Sequence, residues 1–131
     1  MQSGMKMALA GIAGAFLGAL GMNALHAATA VPQAYLIANI QEIKDNDSYQ
    51  KYRTQVAATQ APYKGHFLVR GATPVAVDKS NLPKGALVIV AFPSMKELQA
   101  WWNSPAYSAI RPLRENATVG QLYAVEGVPP S

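Results

Sequence analysis

Tyr63-Lys-Gly-His-Phe-Leu-Val-Arg-Gly71 is the stretch on which the reading of this chain turns. Pro62 precedes it and closes a helical pattern, because proline lacks the amide N–H and clashes with the preceding turn. His66 to Arg70 then reads as a strand. Gly71 interrupts it and Pro74 to Val77 resumes an extended pattern, as a bulged strand would. His66 is the only histidine outside the N-terminal leader.

Upstream, Tyr49, Tyr52, Val56 and Tyr63 recur at helical spacing on one stripe. Asp47, with Gln50 three residues on, is the expected N-cap and capping-box pair. Before that helix, Ala34 to Gln41 is strand-like and apolar at both parities, which implies burial on both faces. Downstream, Asp78 to Gly85 has the composition of a loop. Ala86-Leu-Val-Ile-Val-Ala-Phe92 is the most apolar run after the leader and has the composition of a central strand. Ser94 with Glu97 caps a helix whose apolar face is Leu98, Trp101 and Trp102. Ser104-Pro105 looks like a second helix start, and Tyr107, Ile110 and Leu113 carry the stripe to about Glu115. Asn116 to Gly120 is the expected exit, Gln121 to Glu126 a last strand, and Gly127 to Ser131 a tail.

The order strand, helix, strand, strand, helix, strand predicts an α+β fold, the ferredoxin-like βαββαβ arrangement with a four-stranded antiparallel sheet. Right-handed crossovers put the first and third strands in the middle, and these are the two most apolar strands. Two helices cover only one face of such a sheet. The simplest cover for the other face is a second copy, so a homodimer is expected.

Residues 1–30 differ in kind from residues 31–131, which form a single domain. A short basic start ending at Lys6 precedes the uncharged Ala- and Gly-rich run Met7 to Met22, and small residues follow from Ala24 to Ala30. That is the order of a secretory signal peptide, cleaved after Ala27, Ala28 or Ala30. A retained membrane anchor is the rival reading, since Met7 to Leu25 is near the length needed to span. Cleavage makes the product exported, periplasmic or secreted, with no membrane association of its own. The 131 residues hold 11 Lys and Arg against 7 Asp and Glu, a net +4, and no cysteine. Disulfides and thiolate metal sites are therefore excluded. The basic residues scatter rather than cluster, so no nucleic-acid partner is expected.

From Ala34 to Gly127 the chain resembles the DUF1330 family, a domain of unknown function in the dimeric α/β-barrel group. Ala34-Tyr35, Lys64 to Gly71, Phe92-Pro93-Ser94, Ser104-Pro-Ala-Tyr107 with Arg111, and Ala124 to Gly127 carry the likeness. The family usually shows Gly-Gly on both sides of its Phe-Leu-Val-Arg core; here His66 and Ala72 stand at two of those positions. The resemblance implies the fold and a barrel dimer, and no reaction. Relatives that share the barrel include cofactor-free monooxygenases, lactone isomerases and haem enzymes, an analogy of fold alone.

His66 and Tyr107 are the catalytic candidates, and Arg70, Arg111 and Trp102 the ligand-binding ones. His66 is a general base or an axial haem ligand, or else a strand-edge imidazole with no chemistry. Arg70 is a fork for a carboxylate ligand or half of an ion pair with Glu42, Glu97, Glu115 or Glu126; strict alternation would put it on the same face as His66 and Leu68. Tyr107 and Arg111 lie four apart on one helix and can touch. Of the adjacent Trp101 and Trp102, one is core and the other a ligand platform or partner contact. One histidine outside the leader and no cysteine cannot build an ordinary zinc site within a protomer, and the sequence carries no phosphate loop and no nucleophile elbow. No cofactor is expected. The residues point to an exported homodimer that binds a small anionic or aromatic ligand, or serves a structural role, without catalysis. The alternative is a cofactor-free monooxygenase- or isomerase-like enzyme.

Overall fold

The computed structural model describes residues 30–79 and 81–130. The leader, and with it the cleavage site, lies outside them. Pro32–Val128 forms one compact unit, and it is the unit described below. Among the described residues no helix is long and apolar enough to cross a membrane.

Strand β1 (Ala34–Ile43) is followed by helix α1 (Asn46–Gln60), strands β2 (His66–Ala72) and β3 (Ala86–Phe92), helices α2 (Met95–Trp102) and α3 (Pro105–Ala117), and strand β4 (Thr118–Glu126). The sheet order is β2-β3-β1-β4, and every pairing is antiparallel. This is the ferredoxin-like α+β arrangement, with the first and third strands in the middle. Leu36 lies opposite Val90 and Ala124, and Ala38 opposite Val88 and Leu122. Those residues face the helices. Ile37, opposite Ile89 and Tyr123, marks the other face. There Tyr123 and Val125 are 50% and 42% exposed, and among the described residues the helices cover only the other face.

The helix ends follow from local chemistry. Asp45, not Asp47, caps α1: its side chain accepts the Ser48 amide, and the cap begins two residues earlier than the sequence pattern indicated. Asp47 falls in the first turn. At the other end α1 stops at Gln60, and a 3-10 turn over Ala61–Tyr63 holds Pro62 near its start. Lys64 takes a left-handed conformation (φ 59°), and the Gly65 amide donates back to the Gln60 carbonyl. Ser94 and Ser104 cap α2 and α3 through the Glu97 and Tyr107 amides. Helix α3 runs two residues past Glu115 with Pro112 inside it, and β4 begins at once at Thr118, so there is no separate exit segment. Pro74 to Val77 does not continue β2, which ends at Ala72.

Trp101 and Tyr107 are fully buried at the centre of the core, with Phe92, Val90, Leu98 and Val56 around them. The Trp101 ring lies 4.0 Å from that of Tyr107 and 5.3 Å from that of Phe92, centre to centre. Its indole N–H donates to Thr59 Oγ1 at 3.0 Å, and Thr59 in turn donates to the Val56 carbonyl. The one polar edge of the largest core side chain is thereby satisfied.

Candidate functional site

Helix α1 does not close completely onto the sheet. A cavity of about 450 Å3 remains between them, toward the end of the sheet where β1 and β2 finish and β3 begins. Its walls are apolar: Leu36 and Ala38 from β1, Val88 and Val90 from β3, Leu122 from β4, and Val56 from α1. Gly71 and Gly85 line its rim, both at positive φ (88° and 90°). A Cβ on Gly85 would collide with the Ile40 carbonyl, so glycine is required there on two counts.

Arg70 reaches this cavity because β2 is irregular. Phe67 lies opposite Val90, and Val69, not Leu68, lies opposite Ile89. The extra residue at Leu68 reverses the parity of everything after it. Arg70 consequently lies opposite Val88, on the helix-covered face with Phe67, whereas His66 lies opposite Ala91 on the other face. The expectation from strict alternation, that Arg70 shares a face with His66, is thus overturned. Arg70 Nη2 donates to the Arg53 carbonyl at 2.6 Å, and its guanidinium lies 4.2 Å from the centre of the Phe67 ring. No carboxylate of the described residues pairs with it.

A second polar array backs the cavity from the α3 side. Tyr52, which lines it, shares a 3.0 Å hydrogen bond with the hydroxyl of Tyr107, and Arg114 Nε donates to that same Tyr107 oxygen at 3.3 Å. Burial, reinforced by Tyr107, pushes the Tyr52 phenol far above the ordinary tyrosine range, so it is a neutral hydroxyl at any physiological pH. Burial also raises Tyr49, while Arg53, Arg70 and Arg114 pull the other way. Three cations thus act on one phenol of the cavity wall. Burial by itself would lower Arg114, but the Tyr107 and Tyr52 phenols and Glu115 outweigh it, and its pKa is raised.

Of the residues singled out from sequence, Arg70 lines the cavity. Tyr107 is fully buried and stands behind Tyr52. Arg111 is not the partner of Tyr107. It pairs with Glu115 (3.4 Å) and lies over the Trp102 ring (4.8 Å), away from the cavity lining. The arginine that meets Tyr107 is Arg114, seven residues on, two turns along the same helix face. Trp101 is the core member of the tryptophan pair, and Trp102, half-buried, stacks with Arg111 and Arg114. Arg53, Gln60 and Arg114 also line the cavity and were missed. A signal for two of them existed: Tyr49, Arg53, Val56, Gln60 and Tyr63 fall at 4-3-4-3 spacing, so Arg53 and Gln60 are polar residues on a buried stripe. Among the described residues no three His, Asp or Glu side chains are grouped as a metal would need.

The model of the domain of unknown function DUF1330 matches residues 33–128, and the chain belongs to that family. No curated protein matches the sequence. Among solved structures, the fold is similar to a protein of unknown function from Rhodopseudomonas palustris, with TM-score 0.57 and 12% identity over 84% of this chain and 94% of that one. It is similar to a dimeric ferredoxin-like protein of unknown function from Jannaschia sp. CCS1, with TM-score 0.55 and 10% identity over 73% and 98%. It is also similar to SnoaB, a cofactor-independent oxygenase from Streptomyces nogalater, with TM-score 0.54 and 11% identity over 76% and 97%. At these identities the likeness is one of fold.

Proposed function

We propose that this DUF1330 member is an exported homodimer that binds a small ligand in the cavity between α1 and the sheet. The observation that carries the reading is the cavity: about 450 Å3, inside the ~300–1,000 Å3 usual for small-molecule sites, with apolar walls and a few fixed polar groups. Binding is favoured over catalysis because neither the Tyr52 phenol nor His66 is placed to serve the cavity as a general base. Tyr52 is held protonated, and His66 is on the opposite face of the sheet.

The second copy is called for by the uncovered sheet face, where Tyr123 and Val125 are half exposed beside Ile37 and Ile89. A monomer rarely leaves an apolar sheet face in water. Export rests on the order of residues 1–30, a basic start, an apolar run and small residues before the domain.

Native mass spectrometry of gently purified protein tests the first point. A retained small molecule is expected, and Val56→Trp, which fills the cavity, should expel it. Light scattering should give twice the chain mass, and a mass spectrum of envelope protein should show an N-terminus between Ala28 and Val31; an intact Met1 would instead support the anchor.

A second reading, a cofactor-independent enzyme of the oxygenase or isomerase kind, is favoured by one observation. The Arg114–Tyr107–Tyr52 chain of hydrogen bonds ends at the cavity wall. Such a chain would stabilise negative charge developing on a bound oxygen. Incubating the retained molecule with protein in air separates the readings: binding returns it unchanged, and catalysis consumes it.

A further inference from the structure

The cavity is more specific than its apolar walls suggest. Arg53, Arg70 and Arg114 all line it, and all three act on the Tyr49 hydroxyl. None of them has a carboxylate within ion-pair distance among the described residues; the one ion pair found there joins Arg111 to Glu115. Among the described residues Glu42 is the only acid in the lining, so the three cations exceed the local negative charge. Three arginines against one glutamate beside an apolar cavity leave an excess of positive charge that suits an anion.

The other end of the cavity has a different character. Gln60, in the last turn of α1, lines it and offers a side-chain amide, both donor and acceptor, beside the apolar Val56. Arg53 and Gln60 stand seven residues apart on α1, two turns, which separates them by about 10 Å along the helix. Val56 lies between them on the same face, with Leu36 and Val90 also in the wall.

We propose that the ligand is an amphiphilic monoanion. Its carboxylate or similar head group sits among Arg53, Arg70 and Arg114, its apolar body lies along Val56, and an uncharged hydrogen-bonding group about 10 Å from the head meets the Gln60 amide. This rests on the cavity being a ligand site. It adds the charge of the ligand, its length and a second polar end.

Calorimetric titration of the full chain with decanoate, ω-hydroxydecanoate and decan-1-ol tests it. Decanoate should bind at least about tenfold more tightly than decanol, and the ω-hydroxyl should tighten decanoate by a further factor of about five. Arg53→Gln with Arg70→Gln should abolish the preference for decanoate while decanol still binds. Gln60→Leu, or Gln60→Met if the first variant melts early, should erase the ω-hydroxyl gain and leave decanoate unchanged. Equal binding of decanol and decanoate overturns the anionic head group but leaves the cavity a ligand site. A hydroxyl gain that survives in both Gln60 variants overturns the role of Gln60. Failure of all three probes, decanol included, overturns the ligand site itself.

Discussion

Arg70 on edge strand β2 is joined to Arg53 on α1 by a 2.6 Å hydrogen bond from its guanidinium to the Arg53 backbone carbonyl. The cation is anchored through a neutral acceptor, so its charge is left unspent. Arg70→Ala therefore leaves no acid stranded. It should cost about 1 kcal/mol in a urea melt of the ligand-free protein, the worth of one hydrogen bond and an exposed cation–π contact. A buried ion pair would have cost about 3–5 kcal/mol, and a loss of that size would mean that a carboxylate, from this chain or a second copy, meets Arg70.

Thr59→Val should cost more than its small change in shape implies. Thr59 Oγ1 is the acceptor for the Trp101 indole N–H, at 3.0 Å and in a fully buried position. Valine leaves that donor without a partner, at about 1–3 kcal/mol. If the unpaired N–H is the cause, the penalty in denaturant melts should shrink when Thr59→Val is made on top of Trp101→Phe.

Neighbouring residues of β3 should separate folding from association. Val90, 1% exposed, faces the helices, and Ile89 faces the uncovered side. Val90→Asp places an unpaired carboxylate in the core, at several kcal/mol, and should unfold the chain. Ile89→Asp should keep the far-ultraviolet circular dichroism of the fold and yield a monomer by light scattering.

Alkaline stability should depend on Tyr52. Its folded-state pKa is raised above the ordinary 10.0 by burial and then by Tyr107. A raised pKa means that the folded state keeps a proton which the unfolded chain gives up above pH 10. The stability linked to that proton is complete below pH 10 and is lost as the pH rises, with a limiting slope of about 1.4 kcal/mol per unit. Thermal melts should fall steeply from pH 10 to pH 11, and Tyr52→Phe should flatten that fall relative to its own value at pH 8.

Much of the fold is written locally. Ser94 and Ser104 cap their helices, Pro62 ends α1, and Ala86–Phe92 is a strand from its first residue to its last. Each depends on a few adjacent side chains, which the sequence displays. The site is written less openly. The bulge at Leu68 carries no glycine or proline to mark it, because it is imposed by pairing with β3 and not by its own residues. It decides which face Arg70 serves. Arg114 in place of Arg111 is a matter of helix phase: seven residues restore the direction of Tyr107 better than four do. Asp45 and Asp47 both suit an N-cap, and the Lys44 and Asp45 amides, held by the Ala117 carbonyl, fix where the chain can turn into α1.

The connection between β2 and β3 leaves the sheet after Ala72 and returns at Ala86, next to Gly71 and Gly85, which both stand on the cavity rim. Between them Val75 and Val77 are 81% and 97% exposed and belong to no strand. Chain length in that interval is nearly free of thermodynamic consequence for the fold, since closing a longer loop costs little extra. On the binding reading proposed above, the scaffold is thereby uncoupled from its selectivity: segments beside the opening can be exchanged, and one ligand traded for another, while the sheet, the helices and the three arginines stay as they are.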